Sequence, residues 1–321
     1  MLRSHTFNFF QQYKKLWVVI VLIAVLFIGG EIAVGNFLSL AQVLLTIRMA
    51  SMIALFALCQ MTVMSPGGDG LDLSIGFNAT LTAVITASIM DGSNGNLFAA
   101  ILVAIGFGAA VGFVNGFLSA YMKLPPLIVT LAMGTILQGI INVYTAGANI
   151  TGRPSPALAV LAAGTTGIFP NIVFMLIIVL VIVMIVMNKT SIGRKMFGVG
   201  ANERAAYLSG IDVRATRLKA FLFSGIWASC MGLMLLGNMG IAFKDMGSNF
   251  IMPSIAAAVV GGVSMGGGEG NYLGVVLGSI FLQALTNLLV AFGWGDAGKW
   301  LGFGIVLFTM LIFYAREKRN K

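Results

Sequence analysis

The chain has 321 residues, of which 59% are hydrophobic and 9% charged, with a net charge of +9 and a mean hydropathy of +0.99. Water cannot solvate so many apolar side chains on a compact domain, so the composition excludes a soluble enzyme or carrier and implies an integral membrane protein. A positive balance points to nucleic acid in a soluble protein, but here it is accounted for by basic loops retained on the cytoplasmic side, and nucleic-acid binding is not expected.

A helical span needs about 20 mainly apolar residues, which leaves room for about ten spans in an all-α fold. Runs such as Asn171 to Met187 do not alternate, which excludes β-barrel strands. Spans are predicted near 16–34, 49–65, 74–90, 97–120, 126–145, 168–187, 219–237, 250–262, 272–292 and 300–314. The first follows Lys14 and Lys15 like a signal peptide but lacks a small-residue cleavage site before Asn36, so it is read as a retained span. Asn36 to Ile47 is expected to be an interfacial piece, because a span from Phe37 to Met64 would carry Arg48 in its interior. With both termini cytoplasmic, fifteen Lys and Arg residues fall inside; Arg48, Arg153, Lys244 and Lys299 remain outside.

Two stretches break the helical pattern: SPGGDGLDLSIG (Ser65 to Gly76) and GGVSMGGGEGNYLG (Gly261 to Gly274). Glycine-dense backbone at membrane depth is tolerated where it is buried in protein or lines a wet cavity, so both are expected to be discontinuous helices near a pathway. The acids nearest to membrane depth, Asp69, Asp72 and Glu269, lie in these breaks. Such carboxylates are functional candidates, although Asp72 is also placed to cap a helix beginning at Leu73. Small residues at four-residue spacing, Gly108, Gly112 and Gly116 and again Gly270, Gly274 and Gly278, allow close helix approach and hint at an internal duplication.

Polar residues within the spans fall into stripes: Ser74, Asn78, Thr82 and Thr86; Thr130, Gln138 and Asn142; Ser279, Gln283 and Asn287. Taken singly, each is explained by interhelical hydrogen bonding. Three uncharged stripes together also suit a pathway for a neutral polar solute, which a fixed charge would trap.

The interval from Asn188 to Lys219 carries seven of the nineteen Lys and Arg residues between two apolar runs and is therefore expected to be cytoplasmic. Within it, Ala201 to Leu208 is predicted to form a short helix, with Asn202 as N-cap, Glu203 in the first turn and Gly210 as the stop. A helix of this size is suited to docking. No GxxxxGK(S/T) phosphate loop occurs, so nucleotide hydrolysis is not expected of this chain and its energy source must lie elsewhere. The single histidine, His5, is assigned to an N-terminal tail, and Cys59 and Cys230 lie within apolar runs, so neither a metal site nor a disulfide is expected.

Four blocks, GLDLSIG (Gly70 to Gly76), KLPPLIVTLAMGTILQGI (Lys123 to Ile140), TSIGRKMFGVGANERAAYLSGIDV (Thr190 to Val213) and IAAAVVGGVSMGGGEGNYLGVVLG (Ile255 to Gly278), carry a resemblance. The chain resembles the permease subunits of bacterial ABC importers of the ribose, galactose and xylose type, a group related to the branched-chain amino acid permeases. The likeness runs from about residue 40 to 314. It implies a single permease domain over residues 1–321 in the bacterial inner membrane, with no cofactor of its own. The implied partners are an ATP-hydrolysing subunit, an extracytoplasmic solute-binding protein, a second permease copy or a homologue, and the surrounding lipid. It further implies that the loop 188–219 presents its short helix to the ATPase, with Gly200, Asn202, Ala205, Ala206, Ser209 and Gly210 at the matching positions. Asp69 stands where the family commonly has glycine, and Glu269 is likewise a departure. The rival readings are an ion-coupled secondary transporter, for which Asp69 and Asp72 would supply the titrating site, and a membrane scaffold subunit, which would leave the polar stripes without a use.

Overall fold

A computed structural model describes residues 2–145 and 152–319. The helices are α1 (Leu2–Val34), α2 (Leu40–Met64), α3 (Ile75–Met90), α4 (Leu97–Ala120), α5 (Pro126–Thr145), α6 (Pro156–Ala163), α7 (Asn171–Lys189), α8 (Ser191–Ala201), α9 (Glu203–Leu208), α10 (Val213–Met239), α11 (Ile251–Val260), α12 (Tyr272–Ala291) and α13 (Gly295–Arg319). Between α6 and α7, Thr165–Thr166 (β1) and Phe169–Pro170 (β2) form a two-residue antiparallel hairpin. Among the described residues, seven helices are long and apolar enough to cross a membrane: α1, α2, α4, α5, α7, α10 and α12. The protein is thus an all-α multi-pass membrane protein. The other expected spans correspond to the shorter helices α3 and α11 and to α13. At 1.5 Å per residue, α3 covers about 24 Å and α11 about 15 Å, both short of the roughly 30 Å hydrocarbon layer.

One expectation needs correction. Arg48 does not end a span: α2 is continuous from Leu40, with Ser39 as its N-cap accepting from the Gln42 N–H at 3.4 Å. Arg48 lies two turns inside that helix and is part-buried, with its Nε shielded from the surface. The stretch holding His5 is helical, forming the N-terminal part of α1. Lys321 and the side chains of Arg3, His5, Lys14, Lys15, Arg316, Lys318 and Arg319 lie outside the described part.

α2 and α10 form the centre. Their membrane windows are 61% and 72% buried within the chain, against 11% for α1. Neighbouring helices grip α2 at adjacent carbonyls: the indole N–H of Trp227 on α10 donates to Leu55 O at 2.8 Å, and the hydroxyl of Tyr272 on α12 donates to Ala54 O at 3.1 Å. Both use the second lone pair of an oxygen already engaged in its own helix.

α4 lies against α10 along its glycine stripe. A methyl group at Gly108 would overlap Gly225 O, and one at Gly225 would overlap Gly108 O. At Gly112 it would overlap Phe221 O, and at Gly116 it would lie 2.8 Å from Leu218 Cδ1. Lipid offers no hydrophobic drive for helices to associate, so such close backbone approach supplies the dispersion and Cα–H contacts that hold the pair. α11 and α12 meet in the same way: a methyl group at Gly278 would lie 2.5 Å from Ala257 O, and one at Gly274 would overlap Gly261 O.

Candidate functional site

The basic interval folds into two short helices. α8 is capped by Thr190, whose hydroxyl oxygen accepts from Ile192 N–H at 3.2 Å, and its Gly193, Met196 and Val199 are buried. Asn202 ends α8 and caps α9: it is extended (φ −157°) and its Oδ1 accepts from Ala205 N–H at 2.9 Å. Ala201 therefore closes α8 instead of opening α9. Ser209 closes α9 with its hydroxyl on Ala205 O at 2.9 Å, and Gly210 turns the chain at φ +79°, where a Cβ would be strained.

Two of the expected docking residues face inward. Ala206 is 6% exposed and packs with Val199 and Val213, so its main part is in the shape of the loop. Gly200 is wedged between the two glycine breaks. A methyl group there would overlap both Ser65 O and Gly268 N, which are themselves joined by a 3.0 Å hydrogen bond. At Gly67 it would lie 2.8 Å from Gly266 O and 3.3 Å from Gly200 Cα. Residues 65–68, 200–201 and 266–268 thus meet backbone to backbone. What α9 turns outward is Ala205 together with Tyr207 and Leu208, which are 71% and 77% exposed. The last two were missed by motif reading, although large apolar residues on a short capped helix in a basic loop are themselves a signal.

The same region carries an ion pair. Arg217 of α10 donates to Glu203 of α9 at 2.8 Å and through Nε to Pro66 O at 3.4 Å, tying α9 to the first break. In front of it opens a cleft of about 1780 Å3, lined by the first break, the α4–α5 connection and the α9 loop, with Asp69, Lys123, Arg204 and Arg214 among its charged walls. Asp69 (φ +53°) and Lys123 (φ +59°) are both left-handed. That backbone explains why glycine suits position 69, and Asp is among the few residues that tolerate it.

Of the three acids in the breaks, only Asp72 is buried, at 1% exposure; Asp69 and Glu269 are exposed. Asp72 does not cap a helix at Leu73, since α3 starts at Ile75. Its Oδ1 accepts from the Ser74 N–H at 3.0 Å and hydroxyl at 2.6 Å, and its Oδ2 accepts from the Ser224 hydroxyl at 2.8 Å. Gln60 brackets its backbone, donating to Asp72 O at 2.8 Å and accepting from Asp72 N–H at 3.2 Å. Both carboxylate oxygens are therefore engaged within the protein, which gives no support to a cation-coupling role.

The polar stripes do not converge within one chain. That of α3 faces α10 and α4: Ser74 accepts from Asn115 Nδ2 at 2.9 Å, Asn78 donates to Gly225 O at 2.9 Å and accepts from Ser229 at 2.7 Å, and Thr82 donates to Ser229 at 3.1 Å. Thr86 bonds back to Thr82 O. On α12, Ser279 bonds to Val275 O, while Gln283 donates to Asn287, which donates to Thr46 of α2, both at 2.8 Å. On α5, Thr130 is buried and donates to Leu71 O at 3.1 Å, whereas Gln138 and Asn142 are exposed on the outer surface. Gln60, Asn115, Ser224 and Ser229 belong to this network but escaped the sequence reading, because each stands alone in an apolar run.

A family model described as "Branched-chain amino acid transport system / permease component" matches residues 42–315. The galactose/methyl galactoside import permease protein MglC of Salmonella typhimurium is 31% identical over 271 residues, 78% of this chain and 81% of that protein. The ribose import permease protein RbsC of Escherichia coli is 30% identical over 294 residues, 91% of this chain and 89% of its own. The D-allose transport system permease protein AlsC of Escherichia coli is 28% identical over 281 residues, covering 88% and 85%. No solved structure matches. With the match extending from α2 into α13 and taking in both glycine breaks and the α8–α9 loop, the chain belongs to the family of branched-chain amino acid transport system permease components.

Proposed function

We propose that the chain is the membrane-spanning subunit of an ATP-driven importer for a monosaccharide or similar neutral polar solute, handed over by an extracytoplasmic binding protein. The observation that carries this reading is the α9 loop: it turns Tyr207 and Leu208 outward while its root, Gly200, touches both glycine breaks. A subunit docked on α9 has a direct mechanical hold on the ends of α2, α3, α11 and α12. This chain has no phosphate loop, so ATP hydrolysis belongs to that docked subunit. The names of the ribose, galactose and allose permeases support the solute class.

In this reading the whole chain is one permease domain of the bacterial inner membrane, with both termini and residues 188–219 cytoplasmic. The α4–α5 connection with Lys123 shares the 1780 Å3 cleft with the basic loop, in keeping with one cytoplasmic face. The exposed amides of Gln138 and Asn142 favour a second permease across from α5, since an unpartnered amide in hydrocarbon costs several kcal/mol. The path then runs between two copies, with the α3 and α12 stripes holding the helices behind it. Alternating access follows from rearrangement about the breaks.

The test is uptake by proteoliposomes holding the permease, its ATPase and its binding protein. Uptake of a monosaccharide is expected to require ATP and to survive an uncoupler at constant ATP, and Gln138→Ala is expected to change its rate or solute preference without loss of assembly. Collapse on uncoupling at constant ATP would overturn the importer reading.

A further inference from the structure

A second cavity, about 480 Å3, lies between α2, α7, α8 and α10, away from the cleft under α9. Its walls are apolar: Leu58, Val183, Val186, Met187 and Phe223. It runs from Ser191 back to Ile182 along α7, about two helical turns into the bilayer from the basic loop. It is continuous with the outward face of α7, where Ile178, Ile182 and Ile185 are all more than half exposed, so it opens sideways toward lipid. At the loop end stand Lys195 of α8 and Lys219 of α10, both exposed and both without an ion pair among the described residues. The one acid there, Asp212, already has Oδ1 engaged by Ala215 N–H at 2.9 Å.

Two cations facing a single acid leave a net positive charge above an apolar slot, and its complement in a membrane is a negatively charged headgroup on an acyl chain. We propose that this groove is a binding site for one anionic phospholipid, with its phosphate between Lys195 and Lys219 and an acyl chain along Val183, Val186 and Phe223. The site is separate from the docking face of α9 and requires only that the basic loop lie at a membrane interface. A lipid held here would touch α7, α8 and α10 together and so brace the root of the loop.

The test uses the full-length protein in detergent, exchanged through excess phosphatidylcholine and titrated with phosphatidylglycerol, with retained lipid counted by native mass spectrometry. One phosphatidylglycerol is expected to be held in preference to phosphatidylcholine. Lys195→Gln and Lys219→Gln are each expected to weaken retention about fivefold, and the double variant about 30-fold. These changes alter only exposed side chains and leave the fold intact. Val186→Trp, which fills the slot and leaves the charges, is expected to remove retention. Equal retention of the two lipids, retention that survives either the double lysine change or Val186→Trp, or displacement of the lipid by millimolar inorganic phosphate would each overturn the proposal.

Discussion

Gly198 and Gly200 both lie in α8, two residues apart, and the structure assigns them opposite tolerances. A methyl group at Gly198 meets nothing nearer than Ile211 Cδ1 at 4.0 Å, so Gly198→Ala is expected to be neutral or to stabilise by up to about 1 kcal/mol through helix propensity. At Gly200 the same methyl overlaps Ser65 O and Gly268 N. Neither is the end of a flexible side chain, so the three segments must separate. Overpacking of this kind costs about 1–3 kcal/mol, and parting the Ser65–Gly268 hydrogen bond adds about 1–3 kcal/mol if its groups stay unpaired. Gly200→Ala is thus expected to cost about 2–6 kcal/mol locally, enough to loosen the junction without dissolving a bundle centred on α2 and α10. The assay has two parts: the melting temperature of the purified chain in detergent, and binding-protein-stimulated ATP hydrolysis by the reconstituted complex. Gly200→Ala should melt several degrees below Gly198→Ala, and its hydrolysis should no longer follow the binding protein even though the ATPase still co-purifies. If the two variants match in both measurements, the backbone junction is not the link between loop and breaks.

Asp72→Ala strands donors from Ser74 and Ser224 and should destabilise the chain by about 2–4 kcal/mol, whereas Asp72→Asn keeps an acceptor and should remain near wild type in both melting and uptake; normal melting with abolished uptake in Asp72→Asn would favour ion coupling instead. Ala205→Glu, on the outer face of α9, should reduce co-purification of the ATPase while leaving the melting temperature unchanged, but Ala206→Glu buries a charge beside Val199 and Val213 and should lower both. A cysteine replacing the exposed Ala201, in a background without Cys59 and Cys230, should react with an impermeant thiol reagent only in inverted vesicles; labelling from the outer side would reverse the assigned orientation.

Much of the fold was legible because apolar run length is a local property. The boundaries of α4 and α5 coincide with the predicted runs, and the Asn202 cap and Gly210 stop can be read within ten residues of sequence. The errors arose where a local rule met a long-range compensation. Arg48 reads as a terminus, yet a continuous α2 carries it two turns inside, and α6, whose start Ser155 and Pro156 mark, is too short for a rule based on span length. The site was less legible. Periodicity tells which residues share a helix face but not what that face meets, so the α3 stripe, spent on Ser229 and Gly225, reads the same as Gln138 and Asn142 of α5, which are turned outward. The convergence of Gly67, Gly200 and Gly267 joins three distant segments and leaves no trace in any single window.

The pairing of α4 with α10 also bears on how the chain is made. Roughly 100 residues separate the two helices, and at 5–20 residues per second the ribosome takes about 5–20 s to deliver the second after the first has entered the bilayer. Throughout that time the face carrying Gly108, Gly112 and Gly116 has only lipid against it, because Gly225 and Phe221 do not yet exist. Packing of the N-terminal helices is therefore provisional until α10 arrives. A nascent chain stalled before residue 239 would present quality-control proteases with a grooved, unmated helix, and co-expression of α10 with the following segment as a separate fragment should protect it.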